Sequence, residues 1–437
     1  MTGYLFLICK FLCLTWVSVS CFNLSPRWER KVKGVEALSR LLPESRLSSP
    51  VSRSTLLTRE KRHSTSLGAQ ESGLPGGQKV KVGILGASGY TGAELVRILL
   101  NHPAVDLKLL TASERNAGQS LSSVFPQFAY SPKAKSLPHL VTLEQLHESV
   151  WDELDCVFLA LPHGTTQAVV KQLPPSLKVV DLSADFRLKV PETYQKWYGS
   201  PHQALDAQAE AVYGLPELHR EEIRNARIVA NPGCYPTPCQ LTLVPLLRKG
   251  MIETEDIIID AKSGTTGAGR APKQGTLFCE VHDGMHAYGV AAHRHAPEIE
   301  QQLSLAAGLP MDEQQGVTVA FTPHLAPMSR GIFESIYFKL KPGVTAVQAK
   351  EALQTFYVDD PFVVVVDGHQ IPETRHVRGT NTVAIQVQAD RLKGRAIATA
   401  VMDNLCKGAS GQAVQNFNLI FGLPETMALD SLMPLFP

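Results

Sequence analysis

The chain lacks a charge surplus of either sign: 42 Lys and Arg stand against 41 Asp and Glu over 437 residues. Attachment to nucleic acid or to an anionic membrane through a bulk basic field needs a visible cationic excess, so neither partner is expected. Cysteines arranged as a disulfide framework are missing too. The eight present are Cys9, Cys13 and Cys21 near the N-terminus and Cys156, Cys234, Cys239, Cys279 and Cys406 farther on, with no C-x-x-C pair. That scatter excludes a stapled small scaffold and a zinc knuckle, and it points to a reducing compartment. There is no internal repeat. What remains, 44% apolar residues over this length, suffices for two or three packed domains of a soluble protein.

Charge is nevertheless uneven. The first 70 residues carry 11 basic and 4 acidic side chains, leaving 31 basic and 37 acidic for the mildly acidic remainder. Tyr4 to Phe22 is apolar apart from Lys10 and a few small polar residues and ends in Ser18-Val19-Ser20, so residues 1–22 read as a signal-like leader. A membrane span is the rival reading, but Lys10 near its middle is costly. Residues 23–78 are rich in Ser and Arg and poor in acids, a transit-like segment without enough apolar surface to fold. A leader followed by such a segment resembles the bipartite presequence of plastids acquired by secondary endosymbiosis, which predicts the plastid stroma. An ordinary plastid or a mitochondrial presequence is the alternative. The mature form is expected to have no membrane partner.

The breaker cluster Gly73-Leu74-Pro75-Gly76-Gly77 precedes a fold starting near Lys79. Val80 to Leu85 reads as a buried strand, Ala93 to Asn101 as a helix covered on most sides, and Leu107 to Thr111 as a second strand, together a parallel crossover. Further continuous apolar strands at Cys156–Leu161, Val179–Leu182 and Arg227–Ala230 run into Gly-, Pro- or Ser-rich loops. Both faces of such a sheet are covered, so residues 79–233 are read as a Rossmann-type α/β domain. Later strands at Ile257–Ala261, Val317–Thr322, Phe333–Leu340, Phe362–Val366 and Thr382–Val387 are separated by few helices. They predict an α+β domain over 234–405 with a largely antiparallel or mixed sheet. Pro236 to Leu247 and Arg395 to Lys407 are read as helices.

Gly86-Ala87-Ser88-Gly89-Tyr90-Thr91-Gly92 lies between the first strand and the first helix. Small residues there let the backbone approach a pyrophosphate, and the helix N-terminus supplies free N–H groups, with hydroxyl donors from Ser88 and Thr91. Strand, loop, helix and second strand follow in the order a dinucleotide site requires. The second strand ends in Thr111-Ala112-Ser113-Glu114-Arg115, where Ser113 and Arg115 suit a ribose 2′-phosphate better than a 2′-hydroxyl. NADP(H) is therefore the expected cofactor, although Glu114 turned inward would oppose it.

Asn231-Pro232-Gly233-Cys234-Tyr235-Pro236-Thr237 leaves a strand and opens a helix. A thiol at a helix N-terminus is expected to have a lowered pKa and to meet ligands at the end of the sheet, as a nucleophile must. Cys239, deeper in the same helix, reads as inert. A cysteine beside a nicotinamide implies acyl transfer, with hydride relating a thioester to a thiohemiacetal, and it needs a proton-handling group. His293-Arg294-His295-Ala296-Pro297-Glu298 supplies candidates. Residues i and i+2 face differently on either a strand or a helix, so spacing leaves the choice between the histidines open. His295 is favoured as acid/base, with His293 and Glu298 as orienting or substrate groups. The cluster lacks zinc-ligand spacing, and no metal is expected.

Five ordered motifs carry a resemblance: G-A-S-G-Y-T-G at 86–92, N-P-G-C-Y-P-T at 231–237, S-G-T-T-G-A-G-R at 263–270, H-R-H-A-P-E at 293–298 and N-F-N-L-I-F-G-L-P-E at 416–425. From about residue 79 to 430 the chain resembles the N-acetyl-gamma-glutamyl-phosphate reductases of arginine biosynthesis, in the aspartate-semialdehyde dehydrogenase-like superfamily. The resemblance implies NADPH-dependent reduction of a small acyl phosphate to the semialdehyde and phosphate. It also implies a homodimer or homotetramer, and a C-terminal helix and tail, 406–437, returning to the first domain. Cys234 matches the family's nucleophile. Pro162 and His163 are implied on the nicotinamide side, Gly267 and Ala268 near the cofactor, and Asn416 or Asn418 closing over it. Arg187, Arg270 and Arg294 are candidates for the substrate's phosphate and carboxylate, with Asp185 holding Arg187. The readings that compete are a paralogous reductase of aspartyl or aminoadipyl phosphate and a catalytically silent NADP-binding regulator.

Overall fold

The computed structural model describes residues 77–436 apart from His369, so the signal-like leader and nearly all of the transit-like segment lie outside the described residues. Six strands form one all-parallel sheet: β1 (Val80–Leu85), β2 (Val105–Leu110), β3 (Cys156–Leu159), β4 (Lys178–Asp181), β5 (Val212–Tyr213) and β6 (Ile228–Ala230), in the order β2-β1-β3-β4-β6-β5. Val82, Ile84, Val157, Phe158, Val179 and Val229 are all buried, as strands covered on both faces require.

A second, seven-stranded sheet comprises β7 (Ile257–Ser263), β8 (His286–Ala287), β9 (Val319–Leu325), β10 (Ile332–Lys339), β11 (Val363–Val365), β12 (Val383–Ala389) and β13 (Arg395–Met402), in the order β11-β12-β13-β10-β7-β9-β8. It is mixed: β7 with β9 and β11 with β12 are parallel, and the other pairs antiparallel. Strand β10 alternates buried and half-buried residues along its length, so one face packs on helices and the other does not.

The helices that matter for the site are α1 (Tyr90–Leu99), α2 (Pro216–Arg224), α3 (Pro236–Arg248), α4 (Ala296–Ala307), α5 (Ala346–Phe356) and α6 (Gly411–Ile420). Helix α3 opens with Pro236 in its first turn and carries Pro245 internally. An internal proline strips the hydrogen bond from the carbonyl four residues back. That carbonyl, on Leu241, takes the Tyr357 hydroxyl instead at 2.5 Å, which lets the helix run on through the core. Every residue of α6 is buried. Phe417 stacks obliquely on Phe158 of β3 with ring centroids 5.7 Å apart, so the C-terminal helix belongs to the core of the first sheet. Among the described residues no helix is long and apolar enough to cross a membrane.

One expected helix is a strand. Arg395–Met402 lies inside the second sheet, hydrogen-bonded to β10 on one side and β12 on the other, and only after it do Cys406–Ser410 form a π-helical turn that leads into α6. Ala396, Ala398 and Ala400 are buried in strict alternation. Alanine favours a helix by only a fraction of a kcal/mol per residue, whereas two flanking strands satisfy both backbone edges of an interior segment. The tertiary pairing wins.

Candidate functional site

The glycine loop joins β1 to α1. A Cβ on Gly86, which has φ +93°, would meet the Ala160 carbonyl oxygen at 2.3 Å, and one on Gly92 would meet the Gly86 oxygen at 2.3 Å. These two glycines serve close packing. Gly89 differs: a Cβ there would meet only the Gly86 oxygen, at 3.5 Å, so that side of the loop is open. No side chain caps Gly89, and the N–H groups of Ser88, Tyr90, Thr91 and Gly92 donate to no acceptor among the described residues. An open loop with free donors at a helix N-terminus fits a pyrophosphate. Ser113 and Arg115 are exposed just past β2, and neither side chain has a partner among the described residues. That pair fits a ribose 2′-phosphate.

Cys234 sits between β6 and α3, in the turn that Gly233 makes possible. A Cβ on Gly233 would meet His295 Nε2 at 2.6 Å and Arg187 Nη1 at 3.0 Å. The missing side chain is therefore the space that lets His295 and Arg187 approach the cysteine. The two histidines lie in different surroundings. His295 lies against the Cys234 turn, whereas His293 is boxed by the rings of Tyr235, Tyr288 and Phe321 and accepts the His295 backbone N–H on Nδ1 at 3.1 Å.

Glu298, buried in the first turn of α4, is fully committed. One carboxylate oxygen accepts the Gly233 N–H at 2.7 Å and the Tyr213 hydroxyl at 2.8 Å, and the other accepts Arg187 Nη1 at 3.1 Å. Arg187 spends Nη2 on the Leu182 carbonyl at 2.9 Å and is itself buried. Glu298 therefore clamps the backbone in front of the cysteine, and Arg187 is its buried counter-ion, with Nε left without a partner among the described residues. Asp185 does not hold Arg187. Its carboxylate takes the N–H groups of Gly164 and Thr166 and the Tyr194 hydroxyl, which shapes the turn carrying His163. Next to that turn, Ala184 donates its N–H to His163 Nδ1 at 3.0 Å, which leaves the ring proton on an exposed Nε2. Pro162 precedes it, also exposed.

The candidate arginines divide. Arg294 is exposed, 5.3 Å above the Tyr198 ring, with no hydrogen-bond or ion-pair partner among the described residues. Arg270 instead donates to the carbonyls of Ser88 and Val124, both at 3.1 Å, and lies 4.3 Å over Phe125, so it ties its loop, with Gly267 and Ala268, to the glycine loop. Asn416 is buried, and its amide goes to the Gly214 carbonyl at 2.8 Å and Asn231 Oδ1 at 3.0 Å. Asn418 donates to the carbonyls of Glu425 and Met427. Both amide nitrogens hold the strand ends and the tail, and Asn416 Oδ1 is buried without a partner among the described residues.

Burial pushes the Cys234 thiol up to about 11, with Arg187 and the Tyr235 backbone N–H pulling the other way. The expected lowering at the helix start is thus outweighed by desolvation. Loss of water around the ring holds the half-buried His293 down at about 4, helped by the charge of Arg294, and the more exposed His163 is held at about 4 in the same way, helped first by the charge of Arg187 and then by that of Arg294. His295 lies well below its ordinary value for the same reason, reinforced by its cationic neighbours. A neutral thiol thus sits beside the neutral imidazole of His295, which lies against the turn that carries it.

Sequence reasoning does not single out the run Asp403-Asn404-Leu405-Cys406-Lys407-Gly408-Ala409-Ser410, whose first five residues fall in the helix expected over Arg395 to Lys407. A Cβ on Gly408 would meet the Cys234 Cβ at 3.0 Å, which places this turn directly against the thiol residue. Its signal was legible: small and polar residues breaking an apolar stretch. Tyr213 and Gln240, which hold Glu298 by side chain and by backbone, had no such signal.

Two domain descriptions match the chain: "Semialdehyde dehydrogenase, NAD binding domain" over residues 81–226 and "Semialdehyde dehydrogenase, dimerisation domain" over residues 234–404. The fold agrees with the solved aspartate semialdehyde dehydrogenase II of Vibrio cholerae, with a TM-score of 0.59 and 19% identity over 79% of this chain and 99% of that one. A cysteine and a glycine loop at the carboxyl ends of β6 and β1 of one parallel sheet, with a histidine beside the cysteine turn, define a two-domain oxidoreductase of the semialdehyde dehydrogenase class. Among curated proteins, the N-acetyl-gamma-glutamyl-phosphate reductase of Rhodospirillum rubrum is 54% identical over 365 residues, covering 82% of this chain and 99% of the relative. A probable chloroplastic N-acetyl-gamma-glutamyl-phosphate reductase of Arabidopsis thaliana is 52% identical over 358 residues, covering 82% and 86%. The chain belongs to the N-acetyl-gamma-glutamyl-phosphate reductase family.

Proposed function

We propose that this chain reduces N-acetyl-L-glutamyl 5-phosphate with NADPH to N-acetyl-L-glutamate 5-semialdehyde and phosphate, through a thioester on Cys234. The observation that carries the mechanism is the gap at Gly233, which sets His295 Nε2 beside the cysteine turn. Cys234 passes its proton to His295 as its sulfur attacks C5. The bond from C5 to the phosphate oxygen breaks, and phosphate departs with the electron pair and the proton from His295, leaving the acyl group on sulfur. Coupling proton transfer to attack matters because the resting thiol is held at about 11.

Reduced nicotinamide, when bound, supplies the hydride that takes the thioester carbon to the aldehyde level. The Cys234 N–H, which has no acceptor among the described residues, stabilises the oxyanion formed. The oxyanion collapses to the carbonyl, the C–S bond breaks, and the sulfur takes a proton relayed from solvent by His295. Arg294 receives an anionic group of the substrate, with His163 Nε2 as a neutral donor nearby. Ser88, Tyr90, Thr91, Gly92, Ser113 and Arg115 hold the cofactor. The sheet of β1–β6 with α6 is the cofactor half, and the sheet of β7–β13 the substrate and self-association half, as a homodimer or a pair of dimers.

The test runs the reaction backwards: the purified chain with N-acetylglutamate semialdehyde, NADP and phosphate, then without phosphate, with aspartate semialdehyde as a parallel substrate. Reduced nicotinamide should accumulate only with the first substrate and only when phosphate is present. Phosphate-independent turnover would refute the acyl-phosphate reading. For the N-terminal 78 residues we propose plastid targeting, in line with plant relatives whose names carry "chloroplastic". A fluorescent fusion of that segment found in mitochondria would overturn it.

A further inference from the structure

Lys407 is the least expected residue near the site: a lysine with none of its side chain exposed. Its Nζ donates to Glu217 Oε1 at 2.6 Å and to Gln415 Oε1 at 2.8 Å, so the cation is held between α2 and α6 of the cofactor half. Burying a lysine and a glutamate costs more than an apolar pair of similar size would, so stability alone is a poor reason for the arrangement. What it anchors is the π-helical turn Cys406–Ser410, a rare geometry that concentrates at functional sites. That turn touches three places at once. Gly408 packs against Cys234, the Ala409 carbonyl accepts Asn231 Nδ2 at 3.2 Å, and Ser410 Oγ donates to the Thr91 carbonyl at 2.8 Å, in the first turn of α1.

We propose that Lys407 is a positioning residue: by fixing this turn against Glu217 it sets the spacing between the Cys234 thiol and the cofactor cradle. The inference rests on the reading of Cys234 and the glycine loop given above. Its test uses the full chain as wild type, as Lys407→Met combined with Glu217→Gln so that no lone charge stays buried, and as Ser410→Ala, which keeps the ion pair and cuts only the link to α1. The readouts are the rate of Cys234 alkylation by iodoacetamide with and without saturating NADP, the NADP dissociation constant, and kcat against KM. In wild type, bound NADP should shield the thiol. In the double variant and in Ser410→Ala, NADP should still bind with wild-type affinity but no longer shield it, and kcat should fall by about 10²-fold at unchanged KM, as expected of a misplacement near 1 Å. Shielding and kcat kept at wild-type levels in the folded double variant would overturn the role of Lys407, and the same result in Ser410→Ala would overturn the link from its turn to α1. If the double variant does not fold, Lys407→Arg, which keeps the charge but changes its reach to Glu217, carries the decision. Absence of shielding in wild type would instead sink the underlying reading of the site.

Discussion

Gly233→Ala adds one methyl group at the most crowded point of the site. Gly233 does not occupy the left-handed region, so alanine brings no backbone strain and the effect is one of space. The methyl would lie 2.6 Å from His295 Nε2, 2.9 Å from its Cδ2 and 3.0 Å from Arg187 Nη1. Ordinary contact needs at least 3.4 Å, so one of these groups moves by several tenths of an ångström or more. Arg187 is pinned by Glu298 and the Leu182 carbonyl, whereas His295 Nδ1 is buried without a partner, so the imidazole yields. Overpacking of this kind costs about 1–3 kcal/mol of stability. Displacing the proton acceptor removes general acid–base catalysis worth about 10²–10⁴-fold. The variant should melt a few degrees lower, bind NADP normally and lose at least ~10²-fold in kcat in the phosphate-dependent assay. A kcat within a factor of about three of wild type would refute the placement of His295 as the proton acceptor, because the methyl cannot be accommodated without moving it.

Four further outcomes are expected. Cys234→Ala should abolish reduction in both directions while calorimetric titration with NADP is unchanged; residual turnover would exclude the thioester. Arg270→Ala should weaken NADP about tenfold, the loss of roughly 1.4 kcal/mol of charged hydrogen bonding to Ser88 and Val124, and leave the KM for semialdehyde alone; the reverse pattern would make it a substrate residue. Arg115→Ala should lower the preference for NADP over NAD about tenfold, read as the ratio of kcat/KM, and an unchanged ratio would place the 2′-phosphate elsewhere. The unfolded chain takes up protons from its ordinary histidine value of 6.5 downward, which His293 and His163 refuse until about 4. Their contribution to stability is thus complete above 6.5 and is lost as pH falls toward 4, so the melting temperature should drop across that window and drop less in His293→Asn; equal slopes would argue against a neutral His293.

How far the sequence alone reaches can be seen residue by residue. Val80–Leu85 reads as a strand on composition alone and is one to the residue, because five apolar or small residues around a single exposed lysine, between a breaker and a glycine loop, have few other uses. The same locality makes the glycine loop and the strand-end cysteine legible: the order strand, loop, helix is written along the chain. Arg395–Met402 is the counter-example. Its alanines suit a helix or a strand, and only β10 and β12 on either side decide.

The site divides along the same line. Residue chemistry by itself specified a thiol, histidines, arginines and a dinucleotide loop, since each is identified by local type and neighbours. It could not say that His295 rather than His293 lies against the Cys234 turn, that Arg187 and Glu298 are spent on each other, or that Asn416 serves the backbone. Those are matters of distance between residues up to 202 positions apart in the chain. The raised thiol pKa belongs with them, because desolvation depends on everything packed around the sulfur and not on the helix that begins beside it.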